Sequence, residues 1–171
     1  VTDETMQELW GRILAGEIKK PGSFSFRTLD VVSNLAQHEA KFFENFAKHV
    51  VVWKYFAVIP IVRDNAFLES KGVGDIILRF LAESGLAAET HAGFNLVIPN
   101  DEYTLFDYGR NRGILVRQKS PPVTVPQACW TLTRVGAELL SLIEREADPA
   151  NMQVLVNILR RFGLLLSALR R

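Results

Sequence analysis

The chain has 171 residues, 48% of them hydrophobic and 23% charged, with 20 Lys plus Arg against 19 Asp plus Glu. That length holds one good core or two small lobes sharing an interface, and the composition excludes a disordered chain. A net charge of +1 supplies no global field to draw in nucleic acid or an anionic membrane, so any basic surface must be local.

The first apolar residues, Met6, Leu9, Trp10, Ile13 and Leu14, recur at the spacing of one helix face. Thr2 or Asp3 can cap that helix, and Asp3 and Glu4 suit the positive end of its dipole. Lys19 and Lys20 suit the negative end, and Pro21-Gly22 stops it. Ser23 or Ser25 then caps a second helix with Phe26, Leu29, Val32 and Leu35 at helical spacing, so the segment is predicted to form a helical hairpin with a basic elbow.

The residues from Glu4 to Leu35, ETMQELWGRILAGEIKKPGSFSFRTLDVVSNL, also resemble a stretch typical of an uncharacterised bacterial family, domain of unknown function 2806. In that family a LWAKILAGEI run, a basic pair, PGSFS and RTL lead into a helix rich in Glu and Phe. The later segment LTRVGAELLSLIE, Leu132 to Glu144, resembles that family's "LT, small residue, G, EL" segment. A departure is Ala36, which stands where a Ser cap is expected before Glu39. The resemblance implies an approximate architecture and carries no activity.

Gln37 to about Val52 reads as a third helix, with Ala40, Phe43, Phe46, Ala47 and Val50 on its apolar side. The run from Val50 to Val62 either extends that helix or forms a strand, and Pro60 favours an edge or a strand end. A short helix from Asn65 to Ser70, a Lys-Gly-Val-Gly turn and a helix from Asp75 to Glu83 then give a helix-turn-helix outline. In the second of these Asp75 is the expected cap, and Ile76, Ile77, Phe80 and Leu81 are the expected buried face. Strand-like runs follow at Phe94 to Ile98, Tyr103 to Tyr108, Gly113 to Gln118 and Ala128 to Thr133, and a further helix runs from Arg134 to about Glu146. Asp148-Pro149 opens a last helix, in which Met152, Leu155, Leu159, Phe162, Leu166 and Leu169 alternate three and four residues apart like a coiled-coil seam. The expected architecture is α+β. It comprises a helical lobe over residues 1–62, a winged-helix-like unit with a small antiparallel sheet over 63–147, and a long C-terminal helix over 148–171.

Candidate chemistry is thin. Gly109 to Gly113, with Arg110 and Arg112, offers a basic wing that would touch phosphates, with Lys71 nearby; the helix meant to read bases carries Asp75, Arg79 and Glu83, whose charges roughly cancel. The elbow residues Lys19, Lys20, Ser23, Ser25 and Arg27 outline an anion site at a helix start, set against ordinary capping and dipole compensation. Leu155, Leu159, Phe162, Leu166 and Leu169 either close an intramolecular core or pair with a second copy.

Asp64 with Glu69-Ser70-Lys71 matches the loose outline of a metal-dependent nuclease, although such groups normally sit on adjoining strands. His38, His49 and His91 are isolated, and Cys129 beside Trp130 reads as a small apolar core residue. No residue is assigned to catalysis, to a metal or to a cofactor. A single cysteine fits a reducing cytoplasm, and no apolar run approaches the roughly 20 residues that cross a bilayer. An opening without Met, directly on a helix cap, fits a domain excised from a longer chain. The expected function is a non-catalytic structural or interaction module that self-associates; nucleic-acid binding is the alternative, and a metal-dependent hydrolase stands third.

Overall fold

A computed structural model describes residues 4–53, 56–60, 66–98, 103–109, 112–117, 122–146 and 148–170. Thr2 and Asp3, Asp64 and Arg110 lie outside the described residues. The elements in chain order are α1 (Glu4–Lys19), α2 (Phe26–Asn34), α3 (Gln37–Ala47), β1 (Val51–Trp53), β2 (Phe56–Pro60), α4 (Ala66–Ser70) and α5 (Asp75–Glu83). They continue as β3 (Ala87–Ile98), β4 (Tyr103–Gly109), β5 (Arg112–Arg117), β6 (Val123–Leu132), α6 (Arg134–Leu140), α7 (Pro149–Arg161) and β7 (Leu165–Arg170). The chain is thus α+β, with α1 to α5 in its N-terminal half, one open antiparallel sheet, and α6 and the longer α7 toward the C-terminus.

The hairpin forms where the sequence expects it. Gly22 takes φ 78° at the elbow, and Ser25 caps α2 by accepting the Thr28 amide. Ala36 supplies no side-chain cap to α3, but Glu39 reaches back to its amide at 2.8 Å, which is half of a capping box. The apolar faces are rotated from the expected ones at three places. Ile13 of α1 is buried whereas Leu14 faces outward, Thr28 and Val32 of α2 are buried whereas Phe26 is exposed, and Leu78 and Leu81 of α5 are buried whereas Ile76 and Phe80 are exposed. Asp75 is the first residue of α5 and Gly74 is its cap.

The open run after α3 is a hairpin of strands. β1 pairs with β2 through Val51↔Val58 and Trp53↔Phe56, and Pro60 ends β2 opposite Cys129. The sheet order is β3-β6-β2-β1-β4-β5-β7, seven strands where the sequence suggests a four-strand meander. Its first three strands, with α4, the turn and α5 inserted between β2 and β3, have the connectivity of a winged helix: the strands before and after the helix pair both flank β6. The β4–β5 hairpin occupies the place of a simple wing turn, yet it pairs through β1 and β7 rather than beside β3.

The last helix is shorter than its seam. α7 ends at Arg161, Gly163 takes φ 71°, and Leu165 to Arg170 pair antiparallel with β5, with Leu166 opposite Val116 and Leu169 opposite Gly113. A local spacing of three and four is overridden because β5 would otherwise leave a row of backbone donors and acceptors unpaired. α6 likewise stops at Leu140, well before Glu146.

Two apolar clusters result. One joins α1 to α6 with Leu86, Ala87 and Trp130; the other joins the sheet, through Val51, Trp53, Phe106, Tyr108 and Val116, to Leu155, Ile158 and Leu159 of α7. Among the described residues no helix is long and apolar enough to cross a membrane.

Candidate functional site

By its place after the turn and before β3, α5 stands where the second helix of a helix-turn-helix stands in a winged-helix arrangement. Leu78 and Leu81 anchor it to the first cluster, and Val73, fully buried, seats the turn that precedes it. The Asn45 side chain holds that turn by donating to the Lys71 carbonyl at 2.9 Å. The opposite face presents Ile76, 71% exposed, and Phe80, 38% exposed, one turn apart. Phe80 stacks on Phe42 of α3 at 6.1 Å between ring centroids, and His38 meets Phe42 edge-on at 5.7 Å, so an aromatic ledge adjoins the exposed isoleucine. Asp75, Arg79 and Glu83 share that face. The sequence reading assigned Ile76 and Phe80 to the core; the usable signal was that α5 carries more apolar residues than one buried stripe can hold.

Lys71 is not a free cation. Its Nζ lies 2.8 Å from Asp148 Oδ2, the carboxylate that also caps α7 by accepting the Ala150 amide at 2.9 Å. Burial pushes the Asp148 carboxyl up, but the Lys71 hydrogen bond and the capping amide outweigh it and hold the group below its ordinary value. His49 is buried beside this pair, its Nδ1 4.0 Å from Asp148, and desolvation pushes its pKa down against the pull of Asp148, which favours the neutral ring. Glu69 is the last residue but one of α4, two positions before Lys71, and the third member of the nuclease outline, Asp64, lies outside the described residues. Among the described residues no three His, Cys, Asp or Glu side chains come together as a metal site.

Of the wing residues, Arg112 opens β5 opposite Arg170 of β7, and Arg110 lies outside the described residues. Cys129 is buried on β6.

The elbow is occupied by the chain's own carboxylates. Glu17 accepts the amides of Gly22 at 2.8 Å and Phe24 at 2.7 Å, which lower its pKa. Glu138 of α6 accepts the Ser25 amide at 2.8 Å, the Thr28 hydroxyl at 2.6 Å and the Ser25 hydroxyl at 3.1 Å, and its other oxygen takes Arg134. The Ser25 amide and the Ser25 and Thr28 hydroxyls at the start of α2 thus already hold a carboxylate. Lys19, Lys20 and Arg27 are exposed around this filled cap, and Ser23 is turned onto the Lys20 carbonyl. Glu138 is not identifiable as a capping partner from neighbouring residues, because it comes from 113 positions away, whereas Glu17 acts locally, on amides 5 and 7 positions along the chain.

The self-association residues divide. Leu155 and Leu159 are buried in the second cluster, Phe162 caps α7 at 39% exposure, and Leu166 and Leu169 lie on β7.

Residues 1–63 match a family described as a protein of unknown function, DUF2806, which covers α1 to β2 and agrees with the resemblance in the helical hairpin. The LTRVGAELLSLIE segment lies beyond the matched residues. No curated protein and no solved structure matches the chain.

Proposed function

We propose that this chain is a non-catalytic interaction module that self-associates, and that its winged-helix-like unit meets protein through α5. The observation that carries this reading is the outward face of α5, where Ile76 and Phe80 are exposed and Asp75, Arg79 and Glu83 leave no excess of positive charge. Reading base edges requires bidentate donors such as Arg, Asn or Gln, and following phosphates requires uncompensated cations. α5 offers one arginine between two acids, and Lys71 is neutralised by Asp148. Exposed aliphatic and aromatic side chains rimmed by charge are instead the composition of a protein contact.

The strand order β3-β6-β2 around a helix-turn-helix favours nucleic-acid binding as the second reading, with Arg110, Arg112 and Lys71 as its phosphate contacts. Fluorescence anisotropy with labelled duplex and single-stranded DNA, at low and moderate salt, separates the two. The expected result is no saturable binding at either salt. Binding that falls steeply with salt and disappears in an Arg110→Ala, Arg112→Ala double variant would replace the protein reading with the nucleic-acid one.

A further inference from the structure

We propose that two copies of this chain pair antiparallel through the outward face of α1. The proposal rests on the reading of the chain as a self-associating module and names the face that does it, which is neither α5 nor the leucines of α7.

α1 buries one apolar stripe and leaves two further large apolar residues, Leu14 and Ile18, exposed on its other side. Met6, Leu9, Trp10 and Ile13 face the first cluster. On the other side, Glu4, Gln7, Gly11, Leu14 and Ile18 follow one another at intervals of three, four, three and four, the spacing of a helix-pairing seam, and all five are exposed. Leu14 is 59% exposed and Ile18 83%, although neither is needed to keep the helix amphipathic. Single exposed apolar residues are ordinary on a protein surface, but two at i and i+4 beside a glycine and Ala15 form a continuous stripe.

Packing among the described residues does not call for a glycine at position 11. A Cβ placed there meets nothing within 4 Å, whereas one on Gly16, on the inward side, meets the Phe24 ring at 2.8 Å. A mid-helix glycine costs about 0.5–1 kcal/mol relative to alanine, so its use on an open face is explained by a neighbour that must approach closely. An antiparallel alignment centred between Leu14 and Ala15 supplies that neighbour: Ile18 of each copy lies over Gly11 of the other, and Leu14 lies against Ala15. Such a contact repeats itself about a two-fold axis, as a closed homodimer requires.

Charge selects the same partner and the same direction. The exposed acids of α1's first half are Glu4 and Glu8, and the exposed cations at its end are Lys19 and Lys20. Glu8 already holds Arg12 of its own helix, so the complementarity is that of the helix ends: an antiparallel pair sets the acidic start of each copy along the basic end of the other and opposes the two helix dipoles, whereas a parallel pair would set Lys19 and Lys20 against themselves. A helix that is at once knob and hole, and acid at one end and base at the other, is complementary to itself.

The test is sedimentation velocity of the intact chain over a hundredfold range of concentration. The expected mass rises from 19.3 kDa toward twice that value. Ile18→Glu and Gly11→Leu should each raise the dimer dissociation constant about tenfold or more, which is roughly 1.4 kcal/mol or more. Both positions are open to solvent, so the circular dichroism and the thermal midpoint at the lowest concentration should not fall. Ile76→Glu on α5 should leave the dimer intact. A monomer at every concentration overturns the proposal, as does a dimer indifferent to Ile18→Glu and Gly11→Leu, or one lost only with Ile76→Glu. Each of these outcomes is separate from the DNA-binding result that tests the module reading.

Discussion

Glu138 shows how much one side chain can organise. It stands on α6, yet its carboxylate closes the N-terminus of α2, accepting from an amide and two hydroxyls while Arg134 holds its other oxygen. Burial raises its pKa, and the hydrogen bonds from Thr28, Ser25 and Arg134 more than offset that, so the folded carboxyl titrates below its ordinary value. The folded chain therefore binds fewer protons at this group than the unfolded chain does in the acid range. The associated stability is complete above the ordinary carboxyl pKa and is lost as the pH falls through the lowered folded value. Glu138→Gln keeps the shape and removes the charge. We expect it to cost about 1–3 kcal/mol at neutral pH and to make the acid loss of stability shallower, both measured by urea unfolding at neutral and acid pH. A variant whose stability falls in parallel with the parent over the whole pH range would show that the carboxylate's charge is not what α2 uses.

At the scale of elements, what was legible in the sequence is what is settled within a few residues. Asp148-Pro149 starts α7, Ser25 caps α2 and Pro21-Gly22 follows the end of α1, because each is the work of adjacent backbone groups. What was not legible is settled by partners far along the chain. Within the run at 50–62, Val51–Trp53 and Phe56–Pro60 become strands because β4 and β6, far later in the chain, pair with them. Leu166 and Leu169 leave the helical seam because β5 needs a neighbour and Gly163 permits the turn. The candidate contact face was hidden for a related reason: pattern alone cannot tell a buried Ile76 from an exposed one on a helix with apolar residues on nearly every side. The junction of α6 with the corner before β3 is another such long-range fit. Thr133 donates its amide to the Leu86 carbonyl at 3.1 Å and its hydroxyl to the Gly85 carbonyl at 2.6 Å, and a Cβ on Gly136 would stand 2.1 Å from that Leu86 oxygen. Because the obstacle is backbone, it cannot swing away. Gly136→Ala is expected to cost at least about 1–3 kcal/mol, read as a lower urea midpoint; an unchanged midpoint would mean that α6 can lift off the corner without loss.

Across the whole molecule the two apolar clusters meet where the chain passes from Val50, in the first, to Val51, in the second. Polar bonds gather at that crossing. The buried Asn151 of α7 donates to the His49 carbonyl at 2.6 Å, Arg145 donates to the Val50 carbonyl at 2.9 Å, and Lys71 reaches the α7 cap, Asp148. α7 is thereby fastened at its N-terminal end to the helical lobe while its leucines pack on the sheet, which makes it the strap between the halves. A buried carbonyl that loses its donor costs about 1–3 kcal/mol, and the loss at Asn151 would fall on this strap before it fell on α3. Native-state hydrogen exchange of Asn151→Ala should accordingly show α7 amides such as those of Leu155 and Leu159 losing more protection than the Phe46 amide of α3. If protection instead drops equally in α3 and α7, the two clusters open as one unit and the Asn151 bond contributes only to global stability. The unequal loss would identify the crossing at His49 and Val50 as the place where the sheet half can loosen from the helical half.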